Sequence, residues 1–421
     1  MKIALIGFGA SGIGFLLSMK GTDHEVHVYE KAKDIFSTSI SGIRADGKIF
    51  VSQDMGGDIE IDLGTQEKVV QYYLNNAEIH GNDVERGDSF ANKSLFKEFY
   101  KYGFQPISSK FWHIGTDELE TVLKNIFNEF SAVPNFHFHF NAEITDIKTD
   151  NPFKINVNGQ METFDRVVIG VGRSGHKLVQ TIIRKNPSMV MDNMQVDLGI
   201  RYELPNHIVE DLNREMYEFK LKLKTKTGYI ARTFCNNPAG YVVTEKYEDF
   251  VTVNGHAKKN EKSTNTNFAI LVSHLFTEPF NDPVGYGSYI AKLTNLLAGK
   301  NHVILQTFGD FKNSKRTKKL YRVFPTLQED EYMLGDLNLV FPRKTTASIL
   351  NFIETLDQVV PGVANHDNLM YGTEVKFYSN KISNESIQGM YFIGDCSGWT
   401  RSITYATAHG IIIAKKIIDT A

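Results

Sequence analysis

Cysteine is scarce in this chain of 421 residues: only Cys235 and Cys396 occur, with no CxxC pair and no metal-ligand spacing. This excludes a disulfide-stapled scaffold, argues against a dithiol relay and points to a reducing compartment, so a cytoplasmic location is expected. Long apolar runs are missing as well, none reaching the roughly 18 residues of a membrane span. Lys2 followed by Ile3 to Leu17 superficially resembles a signal peptide, but Gly7, Gly9, Gly12 and Gly14 interrupt the run and no small-residue cleavage signature follows. Charge of one sign is also lacking, since 46 Lys and Arg face 49 Asp and Glu for a net charge of -3. No nucleic-acid or membrane partner is therefore expected, and the partner sought is a small-molecule substrate. Internal repeats, low-complexity tracts and Pro/Gly/Ser linkers are absent, so packed chain should cross any domain junction.

What is present is a composition that can bury a large core, 42% hydrophobic and 23% charged, at a length that favours two or three domains. Lys2 to Ile6 reads as a buried parallel strand, Ser11 to Lys20 as a helix and Glu25 to Tyr29 as a second strand. Between the first two lies Gly7-Phe8-Gly9-Ala10-Ser11-Gly12, a GxGxxG in the setting that gives the motif meaning. Gly7 permits a sharp turn, Gly9 allows backbone to approach a pyrophosphate, and Gly12 allows close helix-to-strand packing. The helix N-terminus offers N–H groups and its positive dipole end to phosphates, and the Ser11 hydroxyl could add a hydrogen bond. Glu30, 18 residues beyond Gly12, is placed to accept hydrogen bonds from ribose hydroxyls and to repel a 2′-phosphate. The unit reads as a site for the ADP half of FAD or NAD.

Further along, Asp117, Leu119, Val122, Leu123, Ile126 and Phe127 predict a helix capped by Thr116 or Asp117. Phe136 to Phe140, Glu143 to Ile147, Phe153 to Val157 and Met161 to Phe164 read as an antiparallel meander, with Asn158-Gly159 as a type I′ turn. Asp165 to Ile169 is another buried strand. From about 176 to 335 the strands alternate, as in Lys220 to Lys224, which suggests a second domain on antiparallel sheet. Met390 to Ile393 is again a buried strand, Gly394 to Thr400 a turn and Arg401 to Asp419 a long helix. Its apolar face, Ile403, Ala406, Gly410, Ile413, Ala414 and Ile417, is expected against a sheet.

FAD is longer than NAD, and a second strand-to-helix turn must reach its ribityl chain and flavin. Asp395 can hydrogen-bond ribityl hydroxyls, and the following helix N-terminus, helped by Arg401, would stabilise negative charge on reduced flavin. Gly394-Asp395 as a simple turn and helix cap is the competing reading. GxGxSG near the start, Val167-Val168-Ile169-Gly170-Val171-Gly172 and the terminal Gly394-Asp395 resemble the three FAD signatures of glutathione-reductase-like flavoproteins. More narrowly, the chain resembles a bacterial family of FAD-dependent dehydrogenases. The residues carrying this are Asp46-Gly47-Lys48, His113 to Asp117, Gly172-Arg173-Ser174-Gly175, Arg232-Thr233-Phe234-Cys235, Asn267-Phe268-Ala269, Gln306 with Gly309-Asp310, and Glu374 to Ser379. The chain departs from the family where a second cysteine and Pro-Gly-Gly would follow Cys235, having Asn236-Asn237-Pro238-Ala239-Gly240 instead, and where Cys396 and Ser397 replace smaller residues. Chemistry requiring two cysteines is thereby put in doubt.

The resemblance implies an α/β fold: a Rossmann-like FAD-binding domain with a central parallel sheet and β-meander, plus an inserted α+β substrate domain with antiparallel sheet. The expected boundaries are 1–175 and 336–421 for the FAD-binding domain, with an unassigned insertion around 50–110, and 176–335 for the substrate or cap domain. FAD contacts are expected from Gly7, Gly9, Ser11, Gly12, Glu30, Lys31, Gly47, Lys48, Ile144, Gly172, Gly394, Asp395, Thr400 and Arg401. No general base or nucleophile is identifiable. Lys48, Glu374 and Arg401 are catalytic candidates by position, and Tyr371 and Lys376 join Glu374 on the substrate side. Gly170, Gly172 and Gly175 form a second GxGxxG that could mark a separate NAD(P) site, but no helix-then-strand unit ending in an acid or arginine follows, and the resemblance assigns the turn to the FAD domain. His137 and His139 alternate with Phe136, Phe138 and Phe140; with no third ligand nearby they read as a strand with an aromatic face, and no metal is expected. Lys220, Lys222, Lys224 and Lys226 read as a solvated strand face, with RNA or an anionic substrate as the alternative. The function expected is an FAD-dependent oxidoreductase transferring hydride to or from flavin N5 on an unassigned substrate, with NAD(P)H as one option for the electron donor. The rivals are an NAD-only dehydrogenase and a flavoprotein acting in RNA modification or non-catalytic binding.

Overall fold

The computed structural model describes residues 1–35, 47–77, 85–88, 93–115, 118–172, 175–191, 195–247, 249–258, 261–277, 279–280, 282–299, 301–378 and 380–420. Asp46, Thr116, Asp117, Arg173, Ser174 and Ser379 lie outside the described residues. The chain forms two compact units, one of Met1–Arg86, Lys110–Asn193 and Ser379–Ala421, the other of Gly87–Ser109 and Met194–Tyr378.

The first unit is built on a five-stranded parallel sheet in the order Met390–Phe392, Arg166–Ile169, Lys2–Ile6, Glu25–Tyr29, Phe136–His139. Both faces of its inner strands are covered, which is why they read as unbroken apolar runs. The period of two divides them cleanly. Ile3, Leu5, Val26, Val28 and Val168 pack with Ile13 and Leu16 of the helix Ala10–Met19, while Ala4, Ile6, Val167 and Ile169 pack with Ile147, Phe153, Ile155 and Phe164 of the meander and with Val179 and Ile182. Each fully buried side chain of this size contributes roughly 1.5–3 kcal/mol.

Three expectations change here. The strand Phe136–His139 leaves the meander and pairs in parallel with Glu25–Tyr29, so only Ile144–Lys148, Phe153–Val157 and Gln160–Phe164 form the antiparallel sheet. The cause is the buried Phe136, which joins Val122, Ile126 and Phe130 of the helix Leu119–Ser131 in the core. The last helix spans Ile403–Asp419, two residues later than expected, because Ser402 caps it by accepting from the Tyr405 N–H at 3.2 Å. It also packs helix to helix: a Cβ on Gly14 would lie 1.9 Å from the Thr407 carbonyl oxygen and one on Gly410 would lie 2.0 Å from that of Ser11. The Asn158-Gly159 turn has φ of 49° and 93°, as a type I′ hairpin requires.

The second unit centres on an eight-stranded, predominantly antiparallel sheet in the order Tyr332–Leu334, Val303–Thr307, Leu369–Phe377, Gln195–Pro205, Asn265–Leu275, Ile230–Asn237, Leu221–Lys224, Phe104–Pro106. Its edge pair, Val303–Thr307 with Tyr332–Leu334, is parallel. One face packs on the helix Arg343–Asp357 through Val196, Leu198, Ile200, Tyr202 and Leu204 with Ile349, Phe352 and Leu356.

The boundaries thus fall at 193/194 and 378/379, against the expected 175/176 and 335/336. The helix His176–Lys185 stays with the first unit because Val179, Ile182 and Ile183 are in its core, and Leu369–Phe377 is an interior strand of the second. Part of the segment around 50–110 crosses over as well, since Phe99 and Phe104 enter the second unit's core. Among the described residues no helix is long and apolar enough to cross a membrane.

Candidate functional site

The glycine loop of the first unit closes as the sequence predicts. Gly7 has φ +102° and a Cβ there would sit 2.5 Å from the Gly170 carbonyl oxygen; a Cβ on Gly12 would sit 2.4 Å from the Gly7 carbonyl oxygen. Gly9 differs, for a Cβ on it meets nothing within 4 Å among the described residues, and it supplies no side chain to cap the helix Ala10–Met19. Open space before an uncapped helix N-terminus suits a pyrophosphate. The Glu30 carboxylate, 7% exposed, accepts the Phe8 N–H at 3.0 Å and the Ala32 N–H at 2.9 Å. Glu30 therefore shapes the loop itself, and each oxygen retains a lone pair for a hydroxyl. Ser11 is buried, its hydroxyl 3.0 Å from a Cβ on Gly170 and 2.6 Å from one on Gly394, so it fills the gap between two strand ends.

The second glycine triplet lies in the same sheet as the first, after the strand Arg166–Ile169. Gly172 has φ +60° and, like Gly9, no neighbour within 4 Å of its ideal Cβ among the described residues. Gly394, at φ +70°, opens a short turn of helix, Gly394–Ser397, and its N–H reaches Nδ1 of the buried His409 at 3.3 Å. Burial pushes the His409 imidazole down to about 4, so it is neutral and able to accept. The Thr400 hydroxyl donates to Asp395 at 3.3 Å. Arg401 is committed elsewhere: its guanidinium pairs with Asp58, which Lys381 also holds at 2.8 Å. Burial would raise the Asp58 carboxyl, but the two cations keep it below its ordinary value.

Other expected contacts are distributed unevenly. Lys48 is 3% exposed at the start of the strand Lys48–Val51, opposite His113, which removes the surface-lysine reading. Gly47 at φ +70° lies against the Gly115 backbone, 2.9 Å from an ideal Cβ. Ile144 is buried in the meander core, and Lys31 is exposed.

In the second unit the strand Gln195–Pro205 carries a row of charges on the face opposite its apolar residues: Asp197, Arg201 and Glu203, all 0% exposed. Each is matched. Asp197 receives Arg232 at 2.7 Å and the Tyr378 hydroxyl at 2.6 Å. Glu203 takes the Thr326 hydroxyl at 2.6 Å and that of Tyr371, and burial raises its carboxyl above the ordinary range. Arg201 donates to the Cys235 carbonyl at 2.8 Å, to Asn254 Oδ1 at 2.9 Å and to Glu374 Oε1 at 3.1 Å. Its Nε also lies 2.9 Å from Glu374 Oε2, off the angle of a hydrogen bond. Burial pushes the Glu374 carboxyl up to about 7, Arg201 offsetting only part of that effect.

The surroundings of Arg201 are shaped for close approach. A Cβ on Gly255 would lie 2.1 Å from Asn267 Oδ1 and 2.5 Å from Asn237 Nδ2. Asn267 Nδ2 is a buried donor with no hydrogen-bond partner among the described residues. Cys235 has φ +48°, at the irregularity where the strand Ile230–Asn237 breaks register between Phe234 and Asn237. Beside it three cations bracket the Phe234 ring, Lys376 at 4.3 Å, Arg232 at 5.2 Å and Lys220 at 5.4 Å from its centroid. Buried polar atoms left without partners, beside a titratable acid, mark a candidate site for small-molecule chemistry. Arg201, Asn254 and Asn267 were not singled out as individual site residues from sequence; the signal was the alternation of Asp197, Arg201 and Glu203 within an otherwise apolar strand.

Residues 196–377 match the family described as "FAD-dependent protein, C-terminal domain-like". A protein of Clostridium beijerinckii, described as "Uncharacterized protein", is 24% identical over 447 aligned residues, covering 99% of this chain and 80% of its own length. Among solved structures, CtdE in complex with FAD covers 100% of this chain and 84% of its own at 9% identity and a TM-score of 0.38. The tetrameric form of 2-methyl-3-hydroxypyridine-5-carboxylic acid oxygenase gives 100% and 83% at 11% identity and 0.40, and the tetracycline destructase Tet(51) 100% and 82% at 12% identity and 0.38. Overlays this loose do not establish a shared fold. The family match, by contrast, names the cofactor expected from the glycine loop and Gly394-Asp395, which is FAD.

Proposed function

We propose that this protein is an FAD-dependent oxidoreductase that moves hydride between flavin N5 and a small-molecule substrate. The observation carrying the reading is the pairing of an open dinucleotide cradle in the first unit with a second unit that matches a family of FAD-dependent proteins. The parallel sheet order supports a Rossmann-like cradle: Gly9 and the helix Ala10–Met19 would hold the pyrophosphate, Glu30 the adenosine ribose, and Asp395 the ribityl chain. The bound flavin supplies the hydride chemistry. The chain's own residues do the rest. Glu374, poised near neutrality and held by Arg201, can hold or release a proton, and Lys376 and Arg232 around Phe234 suit a flat or anionic substrate.

The test is to saturate the purified protein with FAD, remove the excess and follow flavin absorbance anaerobically with NADH, NADPH and a small panel of donors. Stoichiometric flavin, bleached by at least one donor, is the expected result. A protein that emerges colourless would favour an NAD-only dehydrogenase, and bound flavin that no donor reduces would overturn the hydride reading.

A further inference from the structure

The edge of the parallel sheet carries a cluster of imidazoles and a carboxylate. Glu25–Tyr29 and Phe136–His139 pair in parallel register, His27 opposite His137 and Tyr29 opposite His139, so Glu25, His27, His137 and His139 project from one face. The opposite face holds the buried Val26, Val28 and Phe136. Glu25 Oε1 lies 2.9 Å from His27 Nε2 and 3.5 Å from His137 Nε2. One ligand atom from each of Glu25, His27 and His137 lies within 4.8 Å of the others.

We propose that Glu25, His27 and His137 form a binding site for a divalent transition-metal ion of the zinc class, unrelated to the flavin site. The donor set is two imidazoles and one carboxylate, the chemistry zinc accepts with a fourth position left to water. Bonds of about 2.0–2.1 Å put tetrahedral ligand atoms roughly 3.3–3.4 Å apart. Two of the observed spacings already bracket that value, and the Glu25 and His137 side chains, 48% and 42% exposed, are free enough to close the rest.

The second layer of contacts fits a metal better than a simple ion pair. His27 Nδ1 lies 3.1 Å from His139 Nε2, the outer hydrogen bond that fixes the tautomer of a metal-bound imidazole and leaves Nε2 for the ion. The two rings are nearly coplanar, centroids 5.4 Å apart with planes within 3°, as an in-plane hydrogen bond requires, and His139 stacks on Tyr29 at 4.8 Å. The charged groups nearby are the Glu162 carboxylate, which accepts the Tyr29 hydroxyl at 2.8 Å, and the Lys2 ammonium, 4.8 Å from the centroid of the Phe164 ring. Glu25 and Glu162 outnumber Lys2, so the face favours a cation.

The site joins two strands far apart in sequence and would staple the sheet edge. A ligand that binds only the folded state raises its stability by mass action. The experiment is a titration of the full-length, FAD-loaded protein with Zn2+ against a competing chromogenic chelator, together with thermal unfolding in Zn2+ and in EDTA. One equivalent bound at micromolar affinity or tighter and a higher unfolding temperature in Zn2+ are expected, with the bound flavin's absorbance unchanged. Glu25→Gln, His27→Ala and His137→Ala should each abolish the stoichiometric binding. His139→Phe, which keeps the stacked ring but removes the outer hydrogen bond, should weaken it roughly 10- to 100-fold. His137→Ala lies on an exposed edge position and should leave the fold intact in EDTA. Absence of stoichiometric binding in the parent protein, or equal binding in parent and His137→Ala, would overturn the proposal.

Discussion

The two units build their candidate sites in opposite ways. The first removes atoms: Gly7 and Gly12 let backbone close on backbone, Gly9 and Gly172 leave space, and the Glu30 carboxylate is anchored by two N–H groups. The second adds charge, lining a buried strand face with Asp197, Arg201 and Glu203 and matching each with a partner from another strand, Arg232, Glu374 and Tyr371. A site made of absences rests on backbone closing on backbone, as at Gly7 and Gly12. A site made of buried charges depends on every partner being in place, because an unpaired buried ion is costly.

The sharpest way to break this contrast is to remove Arg201. Arg201→Met removes the cation that pairs with Glu374 and should cost about 3–5 kcal/mol in urea denaturation. Adding Glu374→Leu should recover much of that loss, since replacing both members of a buried pair is often neutral or stabilising. If the single substitution is silent, the charge row does not hold the second unit together.

The units should also respond to pH with opposite signs. His409 is depressed to about 4, below its unfolded value, so its contribution is present above about pH 6.5 and is lost as pH falls towards 4, by about 3 kcal/mol in full. Glu374 is raised to about 7, so its contribution is complete below its unfolded value near 4.5 and is lost as pH rises through 7. His409→Gln should therefore flatten the acid limb of the stability profile and Glu374→Gln the limb between about 4.5 and 7. Stability curves unchanged by either substitution would remove the distinction.

Smaller effects separate the glycines. Gly12→Ala should destabilise by about 1–3 kcal/mol, because its Cβ meets the Gly7 carbonyl oxygen at 2.4 Å. Gly9→Ala should change stability by less than about 0.5 kcal/mol yet weaken FAD at least about tenfold, since its methyl enters space that only the ligand uses. Equilibrium dialysis with FAD alongside thermal melts distinguishes the two. Least of all, Lys224→Ala and Lys226→Ala on exposed positions should stay within about 0.5 kcal/mol, as a solvated surface predicts.

The segment from Gly7 to Glu30 was legible in the sequence because its requirements are local: strand, tight turn, helix and acid follow one another within 30 residues, and Gly7 and Gly12 answer to backbone at a neighbouring strand end or a few positions away. The same holds for Asn158-Gly159 and for the apolar face of the last helix. Its packing partner was not local, and the helix Ala10–Met19 took the place expected of a sheet. Strand order likewise escaped the sequence at Phe136–His139, where alternation fixes which residues share a face but not which strand lies alongside. That single pairing is also what brings Glu25 and His27 to His137, supplying the ligands that nearby spacing lacked.

The sequence by itself determined the glycine turn between strand and helix, the buried parallel strands and the presence of a second, antiparallel region, since these rest on short-range periodicity and on glycine. Only the tertiary structure decided where the units divide, that Arg401 is committed to Asp58, and that Arg201, Asn254, Cys235 and Glu374 meet. Those contacts join residues far apart in sequence, and their stabilisation comes from burial and matched charge, which no local pattern encodes.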